Sequence, residues 1–352
     1  MSSPTPLKFL MPGWFAPVMG LSGLALAWHR AAPVLGDMAN GIALVVGVVA
    51  AVAFLAVLAG SVVRAMRYPA ALAEDLRHPI RHAFVAALPV SLLLLATVGV
   101  ALAGAEGPLR FVWDLMWWAG SIGQVAVTIW VLSRWIAHAP ASPATATPGM
   151  PAPAGLWPAV TPVLLIPVVG NVVAPLAGLP LGHGTWSSMQ FGIGVFFWPI
   201  VFALILVRRM AHSPVPERIV ASWFITIAPP AVIGLVLMQM KAPMLMVQAV
   251  WGIALFFLLW LIPVARRVAA QPFGVPFWAM SFPLAALASF TLNLSGSLRG
   301  SVAGNWTQTL AVLMLAAASV VILWLCFATV RGLRDGSLLA PEPVANIVPA
   351  AA

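Results

Sequence analysis

Ten stretches of about 20 or more mainly apolar residues run almost end to end through this chain of 352 residues. They lie near 11–30, 40–66, 83–104, 110–138, 156–177, 187–210, 217–240, 244–268, 275–295 and 306–331, with short polar or Gly/Pro joints between most of them. A run of that length can satisfy its backbone as a helix while its side chains face hydrocarbon. Charge is correspondingly scarce: 7% of residues are Asp, Glu, Lys or Arg, against about 25% in soluble domains. An ordinary soluble enzyme, a disordered chain and a nucleic-acid binder are excluded together. The expected class is an all-α integral membrane protein of ten transmembrane helices, residues 11–331, with the lipid bilayer as its solvent. Short termini (1–10 and 332–352) flank it, and a Pro/Ala-rich linker (139–155) interrupts it.

Loop charge sets the orientation. Thirteen lysines and arginines fall on the side that holds both termini and the joints after even-numbered spans. Four (Arg30, Arg110, Lys241 and Arg299) fall on the other. Basic residues accumulate in cytoplasmic loops, so both termini are expected in the cytoplasm. The apolar start could pass for a signal peptide, but Pro12 and Pro17 interrupt it and nine further spans follow.

Proline is distributed unevenly. Each odd-numbered span has one well inside: Pro17, Pro89, Pro167, the pair Pro229-Pro230, and Pro283. Even spans mostly lack one, Pro199 excepted. Proline removes a backbone hydrogen bond and bends a helix, and a freed carbonyl in hydrocarbon needs a neighbour or a wet cavity. The alternation predicts five tandem helical hairpins, the odd, kinked helices lining a central pore. Proline is also simply common in membrane helices. Small residues beside the prolines, Gly20, Gly23 and Gly170 among them, fit either close helix packing or a narrow lumen.

Absences narrow the chemistry. All eight acids lie at span ends or in joints; Asp114 is the deepest, in the first turn of the fourth span. A proton relay uses ionisable groups at membrane depth, so tight proton coupling is disfavoured. No G-x-x-x-x-G-K-[ST] loop is present, the histidines lack metal-site spacing, and Cys326 is the single cysteine. Neither an enzymatic activity nor a cofactor or metal is expected. His78, Arg81 and His82, in the joint before the third span, form a cationic cluster that either collects anions at a cytoplasmic mouth or marks topology.

Several blocks carry a family likeness. They are Pro12-Gly13-Trp14-Phe15, the run His78-Pro79-Ile80-Arg81-His82-Ala83-Phe84, Pro167-Val168-Val169-Gly170-Asn171, Ile227-Ala228-Pro229-Pro230, and Ser281-Phe282-Pro283-Leu284-Ala285. In this order they resemble the tellurite-resistance/dicarboxylate transporter family, which takes in bacterial TehA proteins and, more distantly, plant slow anion channels. The resemblance implies a homotrimer in a bacterial inner membrane, each ten-helix protomer with its own pore for small inorganic or organic anions. It also implies odd helices around that pore and a phenylalanine plug in the ninth, at Phe282. Taken alone, Phe282 is one of 17 phenylalanines. Family members handle chloride or nitrate, C4-dicarboxylates, sulfite or tellurite, and nothing in the residues picks one. With no deep carboxylate, the expected function is a passive, phenylalanine-gated anion channel, a role in tellurite resistance included. A secondary carrier and a non-transporting scaffold are the alternatives.

Overall fold

The computed structural model of the protein describes residues 6–137, 157–211 and 215–340. The expected linker, 139–155, and most of the expected tail lie outside the described residues. Within them every regular element is helical: α1 (Ala16–Leu35), α2 (Asp37–Arg67), α3 (Pro69–Arg77), α4 (Ala87–Ala103), α5 (Arg110–Ala137), α6 (Leu165–Val169), α7 (Pro175–Gly178), α8 (Gly184–Ala211), α9 (Ala228–Gln239), α10 (Met244–Trp260), α11 (Ile262–Ala269), α12 (Ser281–Ser297) and α13 (Val302–Arg334).

Tight 3-10 turns lead into α1 (Pro12–Phe15), α4 (Arg81–Ala86), α6 (Pro162–Leu164), α9 (Glu217–Ile227) and α12 (Val275–Met280). Each lead and its helix form one inner segment; in the third, α6 continues through a second 3-10 turn, Gly170–Val173, into α7. Seven helices among the described residues are long and apolar enough to cross a membrane, or eight if α10 and α11, bent by 42°, count as one span. Two expected spans fall outside that number. In α1, Gly20, Ser22, Gly23, His29 and Arg30 dilute the apolar character, and 162–178 is broken into short pieces.

The prolines do not kink the middles of the odd segments, as their sequence positions suggested. Pro17, Pro89, Pro167, Pro229, Pro230 and Pro283 each stand second or third in their α-helix, just after the 3-10 turn. A helix's first N–H groups have no intrahelical acceptor, so proline costs nothing there. Its ring also restrains the residue before it. The irregularity sits upstream, as tighter winding. The prolines inside helices are Pro33, in the last turn of α1, and Pro199 in α8.

Burial separates inner from outer elements. The apolar window of Glu217–Gln239 is 94% buried and that of α2 22%. The outer helices α2, α5, α8, α10 and α13 expose large apolar side chains such as Val52, Ile129, Phe196, Phe256 and Phe327, as lipid-facing helices must. Each inner segment packs on the outer helix that follows it, and the five inner segments touch in sequence, α12 closing back on α1. Close approach within this ring relies on small residues. A Cβ on Gly20 would lie 2.1 Å from Ser281 Oγ, leaving no room for alanine between α1 and α12.

The broken third inner segment is held by buried polar groups. The Pro167 carbonyl accepts from Gln124 Nε2 (2.7 Å), Thr128 Oγ1 (2.6 Å) and Asn171 Nδ2 (3.3 Å). Asn171 also donates to the Val168 carbonyl (2.9 Å) and accepts from Gln190 Nε2 (3.2 Å). Gln190 bonds Ser121, which accepts from Trp186 Nε1. Carbonyls at the helix break are thus satisfied by Gln124 and Thr128 of α5 and by Asn171 of the segment itself, with Gln190 of α8 holding the Asn171 side chain, the condition for irregular backbone inside a membrane.

Candidate functional site

A cavity of about 730 Å³ opens at one end of the inner ring. All five inner segments line it, through residues such as Met19, Val90, Val169, Val232 and Phe282, and among the described residues no outer helix does. Its walls are apolar apart from the mouth. There α3 lies across the rim with Ala70, Ala73, Glu74 and Arg77, beside His78, Arg81 and Arg218. Three arginines against one glutamate give the rim a positive balance suited to anions.

Local chemistry fixes the rim. His78 is extended before Pro79, and its Nδ1 accepts the backbone N–H groups of Ile80 (3.1 Å) and Arg81 (3.2 Å). The turn that follows aims Arg81 back at α3, where its guanidinium meets Asp75 (3.2 Å) and Glu74 (3.7 Å). Asp75 is buried and also pairs with buried Arg64 at 2.7 Å, while Arg64 Nε donates to the Lys8 carbonyl (2.9 Å). One carboxylate therefore ties α2, α3 and the start of the second inner segment together. Sequence reading placed Glu74 and Asp75 merely in a joint; a nine-residue helix is too short to register beside spans of twenty or more.

The expected site residues divide between wall and packing. Phe282, Pro283 and Gly170 line the cavity, as do His78 and Arg81 at its mouth. His82 does not reach the mouth: it is buried, its Nδ1 3.0 Å from the His78 carbonyl and its ring edge-on to Trp130. One residue beyond Arg81, its side chain turns inward toward α5. Pro17, Gly20, Pro89, Pro167, Pro229 and Pro230 are buried behind the wall rather than on it. Pro89, for example, packs on α5, where a Cβ on Gly120 would fall 2.9 Å from its carbonyl.

Phe282 marks the cavity's inner limit. Among the described residues the lining includes nothing of α1 beyond Met19 and nothing of α12 beyond Pro283. The ring is 8% exposed and lies against Gly23, whose Cβ, if it had one, would be 3.0 Å from Phe282 Cδ2. The cavity does not extend past this level. At the opposite end of the bundle, Asp114 pairs with His183 Nε2 (2.8 Å) and Arg110 (3.4 Å), and the His183 ring stacks on Trp117 at 4.5 Å. The deepest acid is thus held in an aromatic clamp joining α5 to the loop before α8.

A ring of buried helices inside a lipid-facing shell, enclosing a one-ended cavity with a basic mouth, defines a multi-pass membrane channel or transporter for anions. The family profile described as voltage-dependent anion channel (SLAC1) matches residues 10–330. The chain belongs to that family, as its motifs suggested. Two uncharacterized transporters of Methanocaldococcus jannaschii are similar to it. One is 25% identical over 80% of this chain and 82% of its own length, the other 24% identical over 81% and 84%. The S-type anion channel SLAH2 of Arabidopsis thaliana is 23% identical over 72% of this chain and 45% of its own length.

Proposed function

We propose that the protein is a passive anion channel gated by the ring of Phe282. In this reading ten spans form five tandem hairpins, the inner member of each lining the pore. The basic mouth faces the cytoplasm of a bacterial cell, in whose inner membrane the chain assembles as a homotrimer with one pore per protomer. No enzymatic step and no cofactor takes part. Anions collect at the rim near Arg77, Arg81 and Arg218, enter an apolar chamber, and stop where the ring fills the lumen. Apolar constrictions of this kind gate by excluding water.

The observation that carries the reading is the coincidence of the cavity's end with Phe282, seated on Gly23. Reconstitution in planar bilayers tests it. Phe282→Ala should convert a nearly silent protein into one with steady, anion-selective unitary currents. An unaltered, silent baseline from a properly assembled Phe282→Ala protein would refute the gate.

One feature favours a second reading. A chamber of about 730 Å³ open to one side would hold a C4-dicarboxylate, sulfite or tellurite, and an alternating-access carrier at rest in one state has the same shape. Such a carrier saturates and shows counterflow in liposomes, whereas a channel shows unitary currents and no counterflow. A non-transporting scaffold would show no flux even after Phe282 is removed.

A further inference from the structure

Past Phe282 the character of the inner faces changes. A helix turns about 100° per residue, so a step of seven returns to nearly the same face, about 10.5 Å along. From residues at or above the plug, that step gives Val90 to Thr97 in α4, Val232 to Gln239 in α9, Phe282 to Ser289 in α12, and Gly23 to Arg30 in α1. In the chamber these faces carry apolar groups or none. One heptad deeper, four of the five inner segments carry a polar residue; of these, Thr97 bonds back to the Leu93 carbonyl and Gln239 donates to the Leu176 carbonyl, which leaves Arg30 and Ser289.

Arg30 is the centre of this set. Neighbouring residues fix how α1 is turned: Trp28 Nε1 donates to Ser319 Oγ on α13 (3.1 Å), and His29 Nδ1 lies 3.0 Å from Asn40 Oδ1 on α2. Arg30, the next residue round, is left on the face that carries Met19 and Gly23. It is half-buried, and among the described residues it has neither a hydrogen-bond nor an ion-pair partner. By contrast Arg110, on the same side, is paired with Asp114, and Arg299 donates to the Pro33 carbonyl at 3.2 Å. That last bond places the turn after α12 beside the last turn of α1. Gly23 meets Phe282 and Ala285, so two turns on Arg30 comes level with Ser289 and Leu292.

Ser289 supplies an independent sign. It is 2% exposed, and its hydroxyl has no hydrogen-bond partner. Many buried helical hydroxyls, such as Thr97, Thr291 and Thr307, bond back to a carbonyl one turn earlier; Ser289 shares its unmet hydroxyl with Ser22 of α1 and Ser187 of α8. Asn293, one turn beyond Ser289 and about 20° from the Phe282 direction, likewise has no partner for its carboxamide among the described residues. Arg30 stands inside α1, five residues before its end, and a charge held on the inner face of such a bundle beside unmet polar groups points to a ligand path.

We propose that Arg30, Ser289 and Asn293 form an anion-binding site on the far side of the Phe282 plug, selective for small oxyanions over halides. A guanidinium offers a planar fork of N–H donors that meets two oxygens at once. The serine hydroxyl and asparagine amide add donors from the facing helix. A nitrate or carboxylate leaving the chamber exchanges apolar walls for this cluster, which draws it past the ring and fixes the order of selectivity. The site rests on the pore reading of the chamber.

The test compares charge and shape at Arg30 in the Phe282→Ala background. In planar bilayers Arg30→Gln should lower anion current about tenfold at low salt, with a smaller loss at high salt. Arg30→Lys should keep the current but shift the nitrate/chloride reversal potential toward parity, because a point charge lacks the fork. Ser289→Ala should move that potential the same way. Variants indistinguishable from the Phe282→Ala parent in both readouts overturn the site. Crystals of the Phe282→Ala protein soaked in selenate give a readout that needs no current. An anomalous peak beside Arg30 with no conduction would sink the pore and keep the site, whereas a bare Arg30 in a conducting protein would sink the site alone.

Discussion

Gly23 and Phe282 are in direct contact across the α1–α12 interface, and a methyl group added to Gly23 would come within 3.0 Å of the ring's Cδ2. That spacing is tighter than van der Waals contact, so the ring must shift toward the chamber. Overpacking of this kind costs about 1–2 kcal/mol, roughly a five- to thirtyfold change in the equilibrium between seated and displaced ring. Gly23→Ala is therefore expected to raise resting anion leak measurably in liposome flux assays, by less than Phe282→Ala does. A leak no greater than that of the unmodified protein would show that the ring is not held from behind.

The rim should tune entry through charge alone. Glu74 is exposed, and it and Arg218 both line the cavity mouth. In an open background, Glu74→Gln should raise conductance about twofold in dilute salt and Arg218→Gln should lower it, both effects fading at about 1 M, where screening acts within about 3 Å. Conductance series across ionic strength check both signs.

Asp75 carries structure rather than conduction. Its carboxylate is buried between Arg64 and Arg81, and Asp75→Asn leaves two guanidinium groups short of charge. Removing one member of a buried pair costs about 3–5 kcal/mol, whereas an exposed pair such as Arg81–Glu74 is worth at most about 1 kcal/mol. Thermal unfolding of the detergent-solubilised protein, followed by tryptophan fluorescence, should show a large loss for Asp75→Asn and little for Glu74→Gln.

Asn171→Leu should destabilise the broken inner segment. It removes the side-chain donor of the Val168 carbonyl, one of three donors to Pro167, the bond to Thr128 Oγ1 and one of two acceptors of the Gln190 amide, four bonds at once. Each buried group left unmet costs about 1–3 kcal/mol. Thr128→Val should cost less, since Gln124 still serves Pro167. Equal melting temperatures for both variants would contradict this ranking.

The apolar runs made the membrane-spanning class legible, because bilayer thickness imposes a length that composition reveals directly. Proline alternation separated the segments around the cavity from those facing lipid. What sequence spacing concealed was where each proline stands within its helix. Pro89 and Pro283 look mid-span when counted from the ends of an apolar run, yet 3-10 turns displace the helix start to Ala87 and Ser281. His78 and His82 looked equivalent around Arg81, and only the turn built on His78 Nδ1 divides them into rim and interior. Gly23, in sequence only a small neighbour of Pro17, acquires its meaning from a residue 259 positions away.

For the proposed gate, the winding of the 3-10 lead of the fifth inner segment has a geometric consequence at Phe282. Val275–Met280 is wound at three residues per turn over six residues, immediately before α12. Rewinding those six at 3.6 per turn would rotate everything downstream by about 120° and shorten the lead by about 3 Å. Phe282, the second residue of α12, would turn with it, and the close contacts that α12 makes at Gly20, Gly23 and Gly234 would have to open at the same time. The pitch of six residues at the mouth thus governs the bearing of an aromatic ring deeper in the bundle.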